Sequence, residues 1–148
     1  MRVTGAILVI AVVALIGATK ADDDAEAKKA QAKEMLRNMA QDCKEKEGAT
    51  DGDVDGFVDE KTPETKVQKC LHSCMQEQFG ISDGKQFQKE GFKQVGAMMF
   101  GKDEEKMKQV NEVAEECSGV KNDDRCNLAM DIENCLKSAL EKRGIKQE

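Results

Sequence analysis

The chain has 148 residues, with 29 acidic side chains against 23 basic ones and a formal net charge of −6. It contains six cysteines, eight methionines, one histidine and one proline, and neither Trp nor Tyr. That length fits one domain of ordinary size, and lysines interspersed with acids, as in AKKAQAKEM and KDEEKMKQ, form no dense basic patch, which excludes a nucleic-acid partner; such mixed charge is what the solvated faces of helices carry.

The first segment has the three parts of a secretory signal: a charge at Arg2, an apolar run from Ile7 to Ile16, and small residues ahead of an acidic stretch. Cleavage is expected after Ala21, with Ala18 as the second choice, which makes residues 1–21 the signal peptide and 22–148 the mature, secreted, extracellular domain. The apolar segment from Val3 to Gly17 is 15 residues long, short of the roughly 20 that a membrane-spanning helix needs. Loss of Arg2 and Lys20 with the signal leaves 29 acids facing 21 bases.

Along the mature chain apolar residues recur at helical rather than alternating spacing, so the expected class is all-α, a compact six-helix domain. A first helix runs from about Asp24 to Glu45, with Ala32, Met35, Leu36, Met39 and Cys43 on one stripe and Gly48 just past its end. A short second helix starts near Asp51, which can cap it, and carries Val54, Phe57 and Val58. A third begins at Thr62 and Pro63 and runs to Phe79, stopped by Gly80. Ser82, Asp83 and Gly84 make a turn. Phe87, Phe92, Val95, Met98 and Met99 then mark a fourth helix that ends at Gly101 and is weakened by Gly91. Asp103 caps a fifth, with Met107, Val110, Val113, Ala114 and Cys117 on one face. Asp123 or Asp124 caps a sixth, whose stripe is Leu128, Ile132, Leu136 and Leu140, with Gly144 beyond it.

An even number of cysteines in a small exported chain predicts a disulfide framework. The spacing is C-x26-C-x3-C-x42-C-x8-C-x8-C, from Cys43 through Cys70, Cys74, Cys117 and Cys126 to Cys135. Cys70 and Cys74 project from one helical face in parallel, an arrangement unfavourable for bridging each other. Cys126 and Cys135 are about 13 Å apart along the last helix and point to opposite sides. Excluding those two pairs reduces the 15 pairings of six cysteines to about ten, and helix geometry goes no further.

The x3 and x8 intervals, the segments CLHSC and DRCNLAMDIENC, and six helices resemble the insect odorant-binding proteins, the six-cysteine pheromone and general odorant-binding family. The resemblance covers nearly the whole mature chain. It implies Cys43 paired with Cys74, Cys70 with Cys126 and Cys117 with Cys135, three pairs that survive the helical exclusion. It also implies a carrier that takes odorants or pheromones through aqueous lymph to a membrane odorant receptor, as a monomer or weak homodimer. Only 13 residues follow Cys135, so the chain departs from members whose long tails fold into the pocket; Ile145 can at most cap one end.

Three covalent staples, each worth about 3 to 4 kcal/mol in the chain-entropy model, allow a helical shell to hold an internal apolar cavity that close packing would otherwise fill. The expected wall is Phe57 on the second helix, Leu71, Met75 and Phe79 on the third, and Phe92, Val95, Met98 and Met99 on the fourth. Val110 and Val113 on the fifth helix and Leu136 and Leu140 on the sixth complete it. A lining rich in Met and poor in polar groups suits flexible small hydrophobic ligands such as fatty alcohols, aldehydes, esters or acids. No cofactor is expected.

A competing pattern is Asp51, Asp53, Asp55, Gly56, Val58 and Asp59, which match six positions of the EF-hand calcium loop. At the twelfth position Thr62 replaces the bidentate Glu. Calcium binding through 51–62 is therefore an alternative, and a non-olfactory secreted carrier or scavenger on the same fold is another; no metal site is expected. His72, the single histidine, has no nucleophile or acid-base partner beside it in sequence, so no catalysis is expected. It reads as a surface or packing residue, and its titration range offers one route to pH-dependent release.

Overall fold

The computed structural model describes residues 21–144, which form six helices and two isolated bridges. The helices are α1 (Ala21–Glu47), α2 (Asp51–Val58), α3 (Lys66–Gln78), α4 (Lys89–Phe100), α5 (Glu104–Glu116) and α6 (Arg125–Glu141). The expected leader, apart from Ala21, and the expected role of Ile145 lie outside the described residues. None of the described helices is long and apolar enough to cross a membrane.

Local chemistry sets the helix ends. Gly48 and Gly80 take φ of 65° and 71°, the left-handed conformation that lets the following amides turn back onto the helix. Accordingly, Ala49 N donates to Lys44 O at 2.9 Å and Ile81 N to Gln76 O at 2.9 Å. Three expected boundaries are corrected. The cap of α2 is Thr50, not Asp51: Thr50 Oγ1 accepts from Asp53 N while Asp53 Oδ2 accepts from Thr50 N. The third helix starts at Lys66, because Thr65 and Gln68 form the reciprocal capping box that Thr62 and Pro63 have no partner to make. Phe87 precedes α4 and belongs to a pair of backbone bridges, Ser82 with Phe87 and Gln86 with Lys121. Asp103 and Asp124 cap α5 and α6.

The centre of the molecule is α3, buried from Cys70 to Gln76 and packed on α6, α1 and α2. The bonds Cys43–Cys74, Cys70–Cys126 and Cys117–Cys135 are the same three pairs that the family resemblance implies. Two of them tie adjacent turns of α3 to α1 and to the start of α6. The third ties the end of α5 to α6. The α4 helix rests on α5, and the loop before it is strapped down by Phe87 N donating to Val120 O at 2.9 Å and Asn122 N to Lys85 O at 3.0 Å.

The Gly91 that weakened the sequence pattern has a packing reason. A Cβ placed there would lie 1.7 Å from Gly80 O, so the first turn of α4 meets the end of α3 backbone to backbone.

Candidate functional site

The buried apolar residues form two clusters rather than one. The first joins Ala40 and Cys43 of α1, Val54 and Val58 of α2, and Leu71, Cys74 and Met75 of α3. The second joins Phe87, Val113 and Cys117 to Leu128, Ile132 and Ala139 of α6. Of the expected wall residues, Leu71 and Met75 are buried in the first cluster, with Phe57 and Phe79 packed against it. Val113 is buried in the second, with Phe92, Leu136 and Leu140 packed against it. Val95 and Val110 are half-buried.

Met98 and Met99 are corrected. They are 85% and 41% exposed and stand at the solvent surface. The α4 helix meets α5 through Gly96, which is buried against Val110, and residue 98 is turned roughly 200° from that contact.

Between the two clusters, the seam of α3 and α6 carries a buried polar group that sequence reading missed. His72 is 7% exposed, so of the two readings, surface or packing, it is the packing one that the structure shows. Its Nδ1 lies 2.6 Å from Glu133 Oε1, and its ring meets Phe57 edge-on at a centroid distance of 4.9 Å. Gln76, one turn on, donates from Nε2 to Ala129 O and to Glu133 Oε1, both at 3.2 Å. The signal was in the sequence only as two i,i+4 pairs, His72 with Gln76 and Ala129 with Glu133; nothing there says that the two helices face each other.

The acids of the EF-hand-like stretch are engaged otherwise, which corrects the calcium alternative. Residues Asp51–Val58 are α-helical rather than looped. Asp59 pairs with Lys33 at 2.7 Å, Asp55 with Arg37 at 2.9 Å and Asp51 with Lys44, a charge zipper between α1 and α2. The hydrogen bond from Lys33 holds the Asp59 carboxyl below its ordinary range, and the bond to Asp55 raises the Arg37 guanidinium. The remaining acid, Asp53, is held low first by the Thr50 backbone N–H and then by Gln68. Among the described residues, no group of three or more His, Cys, Asp or Glu is placed to hold a metal ion.

A further ion pair closes the far end of the frame. Glu47, at the end of α1, lies 2.7 Å from Arg125 Nη2 at the start of α6, and the bond raises the Arg125 guanidinium.

The chain matches the PBP/GOBP family over residues 25–139. It is similar to general odorant-binding protein 19d of Drosophila melanogaster, 30% identical over 145 residues that cover 96% of this chain and 93% of the relative. Its structure resembles that of odorant-binding protein dmelOBP28a from Drosophila melanogaster, with a TM-score of 0.64 and 30% identity over 80% of this chain and 98% of that one. The same fold is seen in the fatty acid binding protein OBP56a from the oral disk of the blowfly Phormia regina, with a TM-score of 0.56 and 19% identity over 86% of this chain and 98% of the other.

Proposed function

The chain belongs to the PBP/GOBP family, and from that membership we propose that it is a secreted carrier which encloses a small hydrophobic ligand, odorant or pheromone, and delivers it through aqueous fluid to a membrane receptor. Residues 1–21 are its export signal and 22–148 the working domain. The protein performs no reaction: it binds, shields and releases.

One observation carries the reading. The apolar interior is divided into two clusters, and Phe57, Phe79, Phe92, Leu136 and Leu140 pack on them while keeping part of their surface uncovered. A helical domain of this size with no ligand to hold gains free energy by merging such surfaces. Three disulfides hold the helices in place without that gain. An apolar ligand between the clusters would supply the missing contacts, with affinity from the area it buries.

The test is displacement of N-phenyl-1-naphthylamine from the oxidised protein, read by the dye's own emission. With no Trp or Tyr in the chain, dye fluorescence is free of indole background. Saturable uptake reversed by long-chain aliphatic compounds is the expected result; no saturable uptake would sink the carrier reading.

A further inference from the structure

The Gln76 side chain ends in an acceptor with no donor. Gln76 is 9% exposed, and its Oε1 is buried without a hydrogen-bond partner. The amide cannot be turned to remove the problem. Its Nε2 faces two acceptors, Ala129 O and Glu133 Oε1, so exchanging N and O would set an oxygen against both. The two neighbours on α6 thus hold Oε1 pointing away from them, committed to accepting a hydrogen bond that no side chain or backbone amide supplies.

Its position gives that oxygen a meaning. Gln76 reaches from α3, whose Leu71, Cys74 and Met75 belong to the first apolar cluster, onto α6, whose Leu128, Ile132 and Ala139 belong to the second. It therefore sits where the helices that carry the two clusters meet.

Resting on the carrier reading above, we infer that Gln76 Oε1 is the polar anchor of the site and selects ligands that donate a hydrogen bond, namely long-chain aliphatic alcohols, over aldehydes, ethers and esters of the same length. An alcohol O–H satisfies the buried acceptor; a carbonyl or ether oxygen sets a second acceptor against it and leaves both unpaired. Ionised fatty acids are disfavoured as well, because they bring no donor and place a charged head beside the Glu133 carboxyl group.

The experiment compares 1-dodecanol, its methyl ether and dodecanal as competitors of N-phenyl-1-naphthylamine on the oxidised wild-type protein. The alcohol is expected to bind roughly tenfold tighter than the ether. In Gln76→Met the alcohol should fall to the level of the ether, while the ether changes by less than about threefold. Equal affinity of alcohol and ether in the wild type means that water fills the site and overturns the assignment. So does an alcohol preference that survives in Gln76→Met. The wild-type comparison decides even if that variant fails to fold. Failure of the dye itself to bind would strike the carrier reading, whereas dye binding without alcohol preference strikes only the role of Gln76.

Discussion

A Cβ built on Gly96 would lie 2.5 Å from Cγ1 of Val110, so the α4 backbone and the Val110 side chain of α5 already touch with nothing between them. The Gly96→Ala change gains about 1 kcal/mol of helix propensity and meets an overpacking cost of about 1–3 kcal/mol at a contact that must open to admit it. A net loss of about 1 kcal/mol in urea unfolding is expected. Combining Gly96→Ala with Val110→Ala should cost less than the two single changes added together, since the second removes the clash that the first creates.

The three disulfides close loops of 56, 31 and 18 residues. In the chain-entropy model these are worth about 4.2, 3.7 and 3.2 kcal/mol. Paired Cys→Ala changes should therefore destabilise in the order Cys70–Cys126, Cys43–Cys74, Cys117–Cys135 by denaturant midpoint. The last pair has a further signature: of the three disulfides it is the one that joins α5 to α6, so its loss should raise hydrogen exchange in α4 and α5 more than in α3.

The pairs Lys33 with Asp59, Arg37 with Asp55 and Lys44 with Asp51 all lie near the surface, where salt screens strongly. Raising the salt from 10 mM to 1 M should speed amide exchange in α2 and leave α6 nearly unchanged. Charge reversal at Arg37→Asp should do the same at low salt, with rescue by Asp55→Arg.

Acid should unfold the protein from a defined pH. Backbone N–H groups at Gln86, Lys106 and Asn127 hold Asp83, Asp103 and Asp124 below their ordinary pKa. Lys93 does the same for Glu115, and Lys142 for Glu116. A carboxyl whose folded pKa is depressed stabilises the fold above the unfolded value, near 4, and loses that contribution as pH falls through the folded one. Among the described acids, Glu60 is shifted the other way, raised by partial desolvation. Tm should be nearly flat from pH 7 to about 5 and fall below about 4; a Tm unchanged at pH 3 would contradict this.

The apolar stripes were legible because helical periodicity writes the buried face directly into sequence, and Leu71, Met75, Val113, Leu128 and Ile132 all lie where their stripes put them. The capping boxes of α2 and α3 were equally readable, as Thr50 with Asp53 and Thr65 with Gln68 three residues on, yet Pro63 and Asp51 are the more conspicuous signals and drew the boundaries away. The α1–α2 zipper was present as bases at 33, 37 and 44 facing acids at 51, 55 and 59. Its meaning needed the hairpin that brings them together. Gln76 was beyond reach: a buried amide and an exposed one look the same in sequence, and only the packing of α6 on α3 separates them.

Neither α2 nor α4 contains a cysteine, so the covalent frame runs through α1, α3, α5 and α6 and bypasses residues 89–100. That helix is held by non-covalent contacts instead: Gly91 against Gly80, Gly96 against Val110, Phe92 on the second apolar cluster, and Lys89 and Lys93 on Glu115, so it can loosen while every cross-link stays intact.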